Sequence, residues 1–295
     1  MTIVPVPTLR HDTVSLPGGR RLAWKEWGPG DGAPIIFCTG AGMSGSLGFG
    51  WNDLDRLGLR LIAIDRPGLG ASDPHPDKTL ASWADDVGML IAAAGLDRPL
   101  AVGFSQGAPF ALALAATARV EAVAVVAGQD DLGHPALAHL LEPQVAGMVA
   151  AARADPKGFA AEVAAVASAD WLWDLVIKMS ADIDRELYCA PEFMSFYRAC
   201  LQEGFSQGAE GYARDLAIAL GEWPFAVEEI AVPVDLWFGG RDTSPVHSPD
   251  LGASLAARLP IASRKVDPAA GGSLLWRNAE AILATLAARR RQAPC

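Results

Sequence analysis

Short, nearly unbroken apolar runs recur along the first half of the chain and again near its end. Each is too short for a helix and is flanked by Gly or Pro, which is typical of buried parallel strands. An alternating polar and apolar pattern on both sides of Pro17-Gly18-Gly19 predicts a half-exposed hairpin ahead of them. The predicted strands are 13–16 and 21–27 for the hairpin, then 35–38, 59–64, 100–104, 120–126, 232–238 and 262–266.

Helical patterns lie between these runs. They cover residues 51–57, 79–94 with Thr79 as the N-cap, 106–117, 248–259 and 279–289. Strand and helix alternate, so the pattern predicts an α/β fold with a mostly parallel sheet flanked by helices.

The strand rhythm stops between residues 133 and 220, where the sequence is Ala-rich and helical with interspersed aromatic residues. Sheet strands are predicted on both sides of this stretch, which indicates one interrupted domain. We therefore expect an α/β core formed by residues 1–132 and 221–295, with an inserted helical cap at 133–220.

Composition and charge narrow the function. The chain has 295 residues, of which 51% are hydrophobic and 20% charged, as in a folded globule. Its net charge of −10 is unfavourable for binding nucleic acid, which requires neutralisation of phosphates. The apolar stretches are shorter than the roughly 18 residues of a membrane span, so we expect neither nucleic acid nor a membrane as partner.

Four scattered cysteines and the absence of a signal-peptide pattern in residues 1–12 predict a cytoplasmic location. The chain contains no HExxH motif, no Cys/His cluster, no GxGxxG after the first strand and no P-loop lysine. We therefore expect no metal and no cofactor. The sequence leaves the oligomeric state open, a homo-oligomer included.

The clearest chemical signal is Gly103-Phe104-Ser105-Gln106-Gly107, which follows a predicted strand and precedes a predicted helix. This is the context of a nucleophile elbow, in which a tight turn exposes the serine hydroxyl above the sheet. Small residues two positions before and after Ser105 let the neighbouring strand and helix approach.

With this elbow the chain resembles the α/β-hydrolase superfamily, in particular capped serine hydrolases similar to proline iminopeptidases and epoxide-hydrolase-like esterases. The resemblance covers roughly residues 21–286. It rests on five motifs in the family's order, namely Phe37-Cys38-Thr39-Gly40-Ala41-Gly42, Asp65-Arg66-Pro67-Gly68-Leu69-Gly70-Ala71-Ser72, the Ser105 elbow, Gly239-Gly240-Arg241-Asp242 and Ala270-Gly271-Gly272-Ser273. It implies acyl transfer through a serine, a histidine and an acid.

Carried onto this sequence, the resemblance implies that the backbone amides of Ala41 and Gln106 form the oxyanion hole. Asp242 follows a predicted strand and a Gly-Gly turn, where the family's acid lies. Asp130 and Asp131 are the second candidates for the acid. The turn that begins at Asp65 is expected to be structural.

The pattern departs from the family at the last member of the triad, because Gly272 occupies the position where the resemblance implies a histidine. Serine without a base is a weak nucleophile. His247 lies five residues after Asp242 and would have to reach around the acid, so we expect it to remain on the surface. His75, His134 and His139 are expected in solvated loops, and His11 far from the site.

The sequence therefore predicts a serine hydrolase for a small acyl substrate, such as an ester or a lactone, strongly impaired because of Gly272. One explanation is that a histidine was replaced at this position of a competent hydrolase. The alternative is a naturally non-hydrolytic protein of the same fold that binds a small molecule or serves as a non-hydrolytic catalytic scaffold. Aromatic residues of the cap are expected to supply apolar surface above Ser105.

Overall fold

The computed structural model describes residues 3–292, and one eight-stranded sheet runs through them. The strands are β1 Arg10–Ser15, β2 Arg21–Trp27, β3 Ala33–Cys38, β4 Leu59–Ile64, β5 Leu100–Phe104, β6 Val123–Val126, β7 Val234–Gly239 and β8 Ala262–Asp267. Their order in the sheet is β1-β2-β4-β3-β5-β6-β7-β8. The pairings of β2 with β1 and with β4 are antiparallel and all others are parallel, so the prediction of a mostly parallel sheet is confirmed.

Twelve α-helices lie within the described residues. They are α1 Trp51–Leu57, α2 Leu80–Ala93, α3 Gly107–Ala116, α4 Pro143–Ala154, α5 Pro156–Val166, α6 Ala169–Met179, α7 Asp182–Tyr188, α8 Pro191–Gly204, α9 Glu210–Leu220, α10 Ala253–Arg258, α11 Leu274–Arg277 and α12 Ala279–Gln292. None of them is both long and apolar enough to cross a membrane. Thr79 caps α2 as predicted, because its hydroxyl accepts a hydrogen bond from the Ser82 amide.

Side chains that alternate along each central strand pack on opposite faces of the sheet. In β3, Ile35 and Phe37 belong to one apolar core, and Ile36 and Cys38 belong to another. Helices α2 and α3 pack within the second core, while α1, α12 and most of the apolar side chains of residues 133–220 pack within the first. Both faces are covered, which explains why the strands read as unbroken apolar runs.

Helices α4–α9, which we call the helical insertion, occupy the chain between β6 and β7. These two strands are neighbours in the sheet, with Val123 paired to Val234. The chain therefore leaves the sheet after one strand, forms the insertion, and returns to the sheet at the adjacent strand. The carboxyl ends of parallel strands share one edge, so the insertion begins at the same edge as the loop that follows β5.

The free cysteines of the described residues are Cys38, Cys189 and Cys200. Cys38 and Cys200 are buried, and burial raises the pKa of the Cys38 thiol to about 12 and that of the Cys200 thiol to about 11. Both are therefore protonated and poorly nucleophilic near neutral pH. Cys295 lies outside the described residues.

Candidate active site

Ser105 lies in the tight turn between β5 and α3 and adopts a left-handed backbone conformation, with φ of 51°. A non-glycine residue in this region is strained. The turn closes only because of its glycines: a Cβ on Gly107 would lie 2.0 Å from the Cys38 carbonyl oxygen, and one on Gly103 would lie 2.8 Å from the Ala108 Cα. The local sequence therefore produces the geometry of a nucleophile elbow.

The Ser105 hydroxyl forms a hydrogen bond with a histidine. Ser105 Oγ lies 2.8 Å from His247 Nε2, and His247 Nδ1 lies 2.6 Å from Asp242 Oδ2. The side chains of His247 and Asp242 are only 12% and 5% exposed. A hydroxyl, an imidazole and a carboxylate thus form one continuous hydrogen-bonded chain at the carboxyl edge of the sheet.

The expectation that Ser105 has no histidine beside it is therefore wrong, and so is the surface position expected for His247. The predicted helix 248–259 begins only at Ala253, so a long irregular loop follows Asp242. In this loop the His247 amide donates to the Ser244 carbonyl, and the Ser248 amide donates to Gly128 beyond β6. This path folds the chain back toward Ser105 and brings the ring around the acid.

Gly272 lies beside the acid and not in a vacant base position. A Cβ on Gly272 would lie 3.1 Å from Asp242 Oδ1. Its amide donates to Asp184 Oδ2 at 3.0 Å, and the Ser273 amide donates to Asp184 Oδ1 at 2.8 Å. A buried carboxylate from α7 of the insertion thus binds the loop in which the resemblance implied a histidine.

Asp130, the second candidate for the acid, does not contact His247 directly. Its carboxylate accepts a hydrogen bond of 2.7 Å from the hydroxyl of Ser248, the residue after His247. Asp130 is 1% exposed, and burial raises the pKa of its carboxyl group. It fixes the histidine loop to the end of β6, while Asp131 forms ion pairs with Arg153 and Arg258.

The other histidines of the described residues do not line the cavity that contains Ser105. His139 and His11 are exposed, and His134 accepts a hydrogen bond from the Ala136 amide. His75 is partly buried, and burial lowers the pKa of its imidazole. Pro245 and the preceding Thr-Ser favour a turn after Asp242, but this local signal does not indicate that the turn carries His247 to Ser105.

Ala41 and Gln106, the predicted oxyanion donors, both line the same cavity as Ser105. Neither backbone amide donates to another atom of the described residues. The carbonyls that precede Ala41 are held by Arg66, whose guanidinium donates to the Thr39 oxygen at 2.5 Å and to the Gly40 oxygen at 2.9 Å. The loop therefore has a fixed backbone and an amide that remains available.

Arg66 also connects this loop to the insertion. Its Nε donates to Asp215 Oδ2 of α9 at 2.7 Å, and Lys78 forms an ion pair with the other oxygen of Asp215. All three side chains are fully buried. The motif that begins at Asp65, expected to be a structural turn, thus supplies a buried link between the helical insertion and residues 39–42, which we call the oxyanion loop after their predicted role.

A cavity of about 640 Å³ lies above Ser105, and side chains of the insertion form most of its walls. The apolar part includes Val145, Met148, Phe159, Leu172, Leu175 and Leu216. A larger open groove of about 910 Å³ lies between residues 76–80 and helices α5 and α9, but no member of the Ser105 hydrogen-bonded chain lines it. The smaller cavity is therefore the candidate site.

Comparisons with known proteins agree with this architecture. A family model described as alpha/beta hydrolase fold matches residues 33–276. The chain is similar to a non-heme chloroperoxidase of Streptomyces lividans, with 34% identity over 100 residues that cover 32% of this chain and 35% of that protein. The match thus spans about a third of that relative's length.

Two solved structures show the same fold over nearly the whole chain. A bromoperoxidase from Bacillus anthracis has a TM-score of 0.69 at 17% identity, over 96% of this chain and 100% of that one. An enol-lactonase from Burkholderia xenovorans LB400 has a TM-score of 0.67 at 20% identity, over 95% and 100%. At these identities the likeness concerns the fold alone.

Proposed function

Because the chain belongs to the family of proteins with the alpha/beta hydrolase fold, we propose that it is a serine hydrolase that cleaves carboxylic esters or lactones. The observation that carries this proposal is the hydrogen-bonded chain from Ser105 through His247 to Asp242, at the floor of an apolar cavity. The predicted impairment rested on a missing base, and His247 supplies one. The non-hydrolytic alternative loses the same support.

In the proposed mechanism, Ser105 Oγ attacks the substrate carbonyl while His247 Nε2 accepts its proton. Asp242 accepts the hydrogen bond from Nδ1, which fixes the tautomer and stabilises the imidazolium. The negative charge that develops on the carbonyl oxygen is stabilised by the amides of Ala41 and Gln106.

Collapse of this intermediate breaks the carbonyl carbon–oxygen bond, and His247 returns its proton to the leaving alkoxide. A water molecule then attacks the acyl-serine, again with His247 as the base, and releases the acid and the free serine.

The test uses p-nitrophenyl acetate in rapid-mixing kinetics. We expect a burst of p-nitrophenol with an amplitude close to the enzyme concentration, because the acyl-enzyme forms faster than it hydrolyses. Ser105→Ala should abolish the burst. His247→Ala should lower kcat by about 10⁴–10⁶ and Asp242→Asn by about 10⁴, as in other triads.

His139→Gln is the matched control, because this histidine is exposed and does not line the cavity. It should retain the full rate. Hydrolysis that survives Ser105→Ala, or a His247→Ala variant within tenfold of the parent rate, would contradict the proposed mechanism.

A further inference from the structure

The chain contains three tyrosines, and all of them line the cavity above Ser105. Tyr188 lies in α7, Tyr197 in α8 and Tyr212 in α9, so each comes from a different helix of the insertion. They are buried, with exposed fractions of 4%, 4% and 3%. The tyrosines of this protein are thus concentrated at its candidate active site.

Two of the tyrosines lie on the side of Phe104, the residue before the nucleophile. Tyr188 and Tyr197 both contact the Trp276 ring, with centroids 6.0 and 6.1 Å away, and Trp276 packs edge-on against Phe104 at 4.9 Å. Packing thus connects this pair of phenols to the elbow through two aromatic rings.

Tyr212 approaches from the side of the oxyanion loop. Its ring packs against Phe205 at 5.4 Å, and the Phe205 ring lies 2.6 Å from where a Cβ on Gly42 would be. Gly42 directly follows Ala41, one of the proposed oxyanion donors. The three hydroxyl-bearing rings therefore approach the site from two different sides.

None of the three phenol hydroxyls forms a hydrogen bond with another described residue. The buried serines and threonines differ in this respect. The hydroxyls of Thr39, Ser44, Ser72, Ser248 and Ser273 each take part in a hydrogen bond. Buried tyrosine hydroxyls usually have a partner. The three phenol oxygens are not among the enclosed side-chain atoms that lack one, so they open onto the cavity, where a ligand can form hydrogen bonds with them.

The tyrosines are neutral donors near neutral pH, and burial raises the pKa of all three phenols above their ordinary value. Gln129 adds a further polar group, since it lines the cavity, is 2% exposed and has a side-chain nitrogen without a partner among the described residues. The cavity wall therefore combines apolar surface with several uncharged groups that can form hydrogen bonds.

The charges on the cavity wall do not favour an ionic substrate. Asp184 is engaged by two backbone amides, and Asp242 by His247 and the Ser244 amide. Glu142 and Lys178 are exposed. No buried cation of the described residues lines the cavity, so a substrate carboxylate would be desolvated there without a partner.

We infer that the site takes a neutral ester or lactone that carries a hydroxyl or carbonyl group away from the bond that is cleaved, and that tyrosine hydroxyls bind this group. The inference rests on the proposed function, because it assumes that Ser105 attacks the substrate in this cavity. It names the tyrosines as determinants of specificity and not as catalytic residues.

The test compares p-nitrophenyl esters of matched shape. β-Hydroxybutyrate and acetoacetate each carry an oxygen where isovalerate carries a methyl group. Each kcat/KM is divided by the rate constant for attack of neutral hydroxylamine on the same ester at the assay pH, which corrects for differences in the intrinsic reactivity of the carbonyl. We expect the parent enzyme to prefer at least one polar ester over isovalerate by about tenfold, the effect of one good hydrogen bond.

Tyr188→Phe, Tyr197→Phe and Tyr212→Phe keep the rings and remove the hydroxyls. At least one of them should bring the ratio of polar ester to isovalerate close to one. Thr285→Val is the matched control, because it removes a hydroxyl from the exposed face of α12 and should leave the ratio unchanged.

Two results would overturn the inference: a parent ratio at or below one for both polar esters, or Phe variants that lower all three esters by the same factor. Either result could accompany a normal burst with p-nitrophenyl acetate, and then the proposed hydrolase would stand without this specificity. Loss of p-nitrophenyl acetate hydrolysis itself would remove the proposed function.

Discussion

At the scale of single residues, the site depends on an imidazole that comes from the acid's own loop. His247 lies five positions after Asp242 and still forms hydrogen bonds with both Asp242 and Ser105. A triad is defined by its geometry and not by the order or spacing of its members in the chain. Gly272 and its neighbours have a different role, since they receive Asp184 from the insertion.

The substitution Gly272→His tests whether the base is missing, as expected from the sequence, or supplied by His247, as in the structure. If the base were missing, Gly272→His would accelerate hydrolysis. In the structure the new Cβ would lie 3.1–3.3 Å from three atoms of the Asp242 carboxyl group, and the added ring would compete with His247 for it. We expect Gly272→His to lower kcat/KM for p-nitrophenyl acetate by about tenfold or more, within the range for a misoriented triad.

Gly30→His is the control for this substitution, because Gly30 is exposed and a Cβ there meets nothing within 4 Å. It should keep the parent rate. A Gly272→His variant that is faster than the parent enzyme would mean that His247 does not act as the base.

The residues of the site differ in how far the sequence predicts them. Ser105 was predictable, because its motif specifies a local turn whose glycines and strain are themselves local. Asp242 was predictable from the strand that precedes it. The position of His247 depends on a hydrogen bond from Ser248 to Asp130, far away in the chain, and no local pattern encodes that contact.

At the scale of elements, the central strands were well predicted and the irregular loops were not. The run 59–64 coincides with β4 and the run 100–104 with β5, because burial on both faces demands continuous apolar residues. The helix predicted from Ser248 starts five residues later, because the Ser248 hydroxyl accepts a hydrogen bond from the Gly252 amide within the loop. Such competition between side chains and helical hydrogen bonds is a general reason why helix boundaries are hard to predict.

The link between α9 and the oxyanion loop gives a prediction at this scale. Arg66→Lys keeps a positive charge beside Asp215, but its donors all radiate from one nitrogen, whereas the guanidinium reaches Asp215, Thr39 and Gly40 from three different nitrogens. The backbone before Ala41 should lose its support, so we expect kcat for p-nitrophenyl acetate to fall by about 10–100-fold. Complete removal of one oxyanion donor lowers kcat by about 10²–10³-fold, so the expected loss is smaller. KM should change by less than kcat.

Arg289→Lys provides the comparison, because Arg289 also forms a two-point ion pair with a buried carboxylate, that of Asp235, outside the cavity. Thermal unfolding of both variants measures their losses of stability. If Arg289→Lys lowers kcat as much as Arg66→Lys does, the proposed support of the oxyanion loop is wrong.

At the scale of the whole molecule, the segments before and after the helical insertion form one sheet, and the insertion packs over one edge of it. The parallel pairing of β6 with β7 returns the chain to the sheet after the insertion, as the sequence predicted from strands on both sides. The division into a core at 1–132 and 221–295 and a cap at 133–220 remains a proposal. What joins the two parts includes the buried Arg66, Lys78 and Asp215 cluster, which holds two cations and one carboxylate.

This cluster predicts how the stability of the whole protein depends on pH. The pKa of Lys78 is lowered from 10.5 to about 8, because burial, together with the nearby charge of Arg66, outweighs the ion pair with Asp215. The unfolded chain therefore binds more protons than the folded one between about pH 8 and 10.5, and stability must rise with pH in that window. The difference in free energy of unfolding between the parent and Lys78→Met should therefore rise by on the order of 1–2 kcal/mol across most of this pH window.

Urea unfolding of the parent and of Lys78→Met at several pH values measures this difference directly, since contributions from the other groups cancel. Lys157→Met serves as the exposed reference, because the Lys157 side chain is 92% exposed, and its difference from the parent should stay flat. A parent stability that falls relative to Lys78→Met as the pH rises would show that Lys78 is stabilised in its charged form. The ion pair with Asp215 would then outweigh burial.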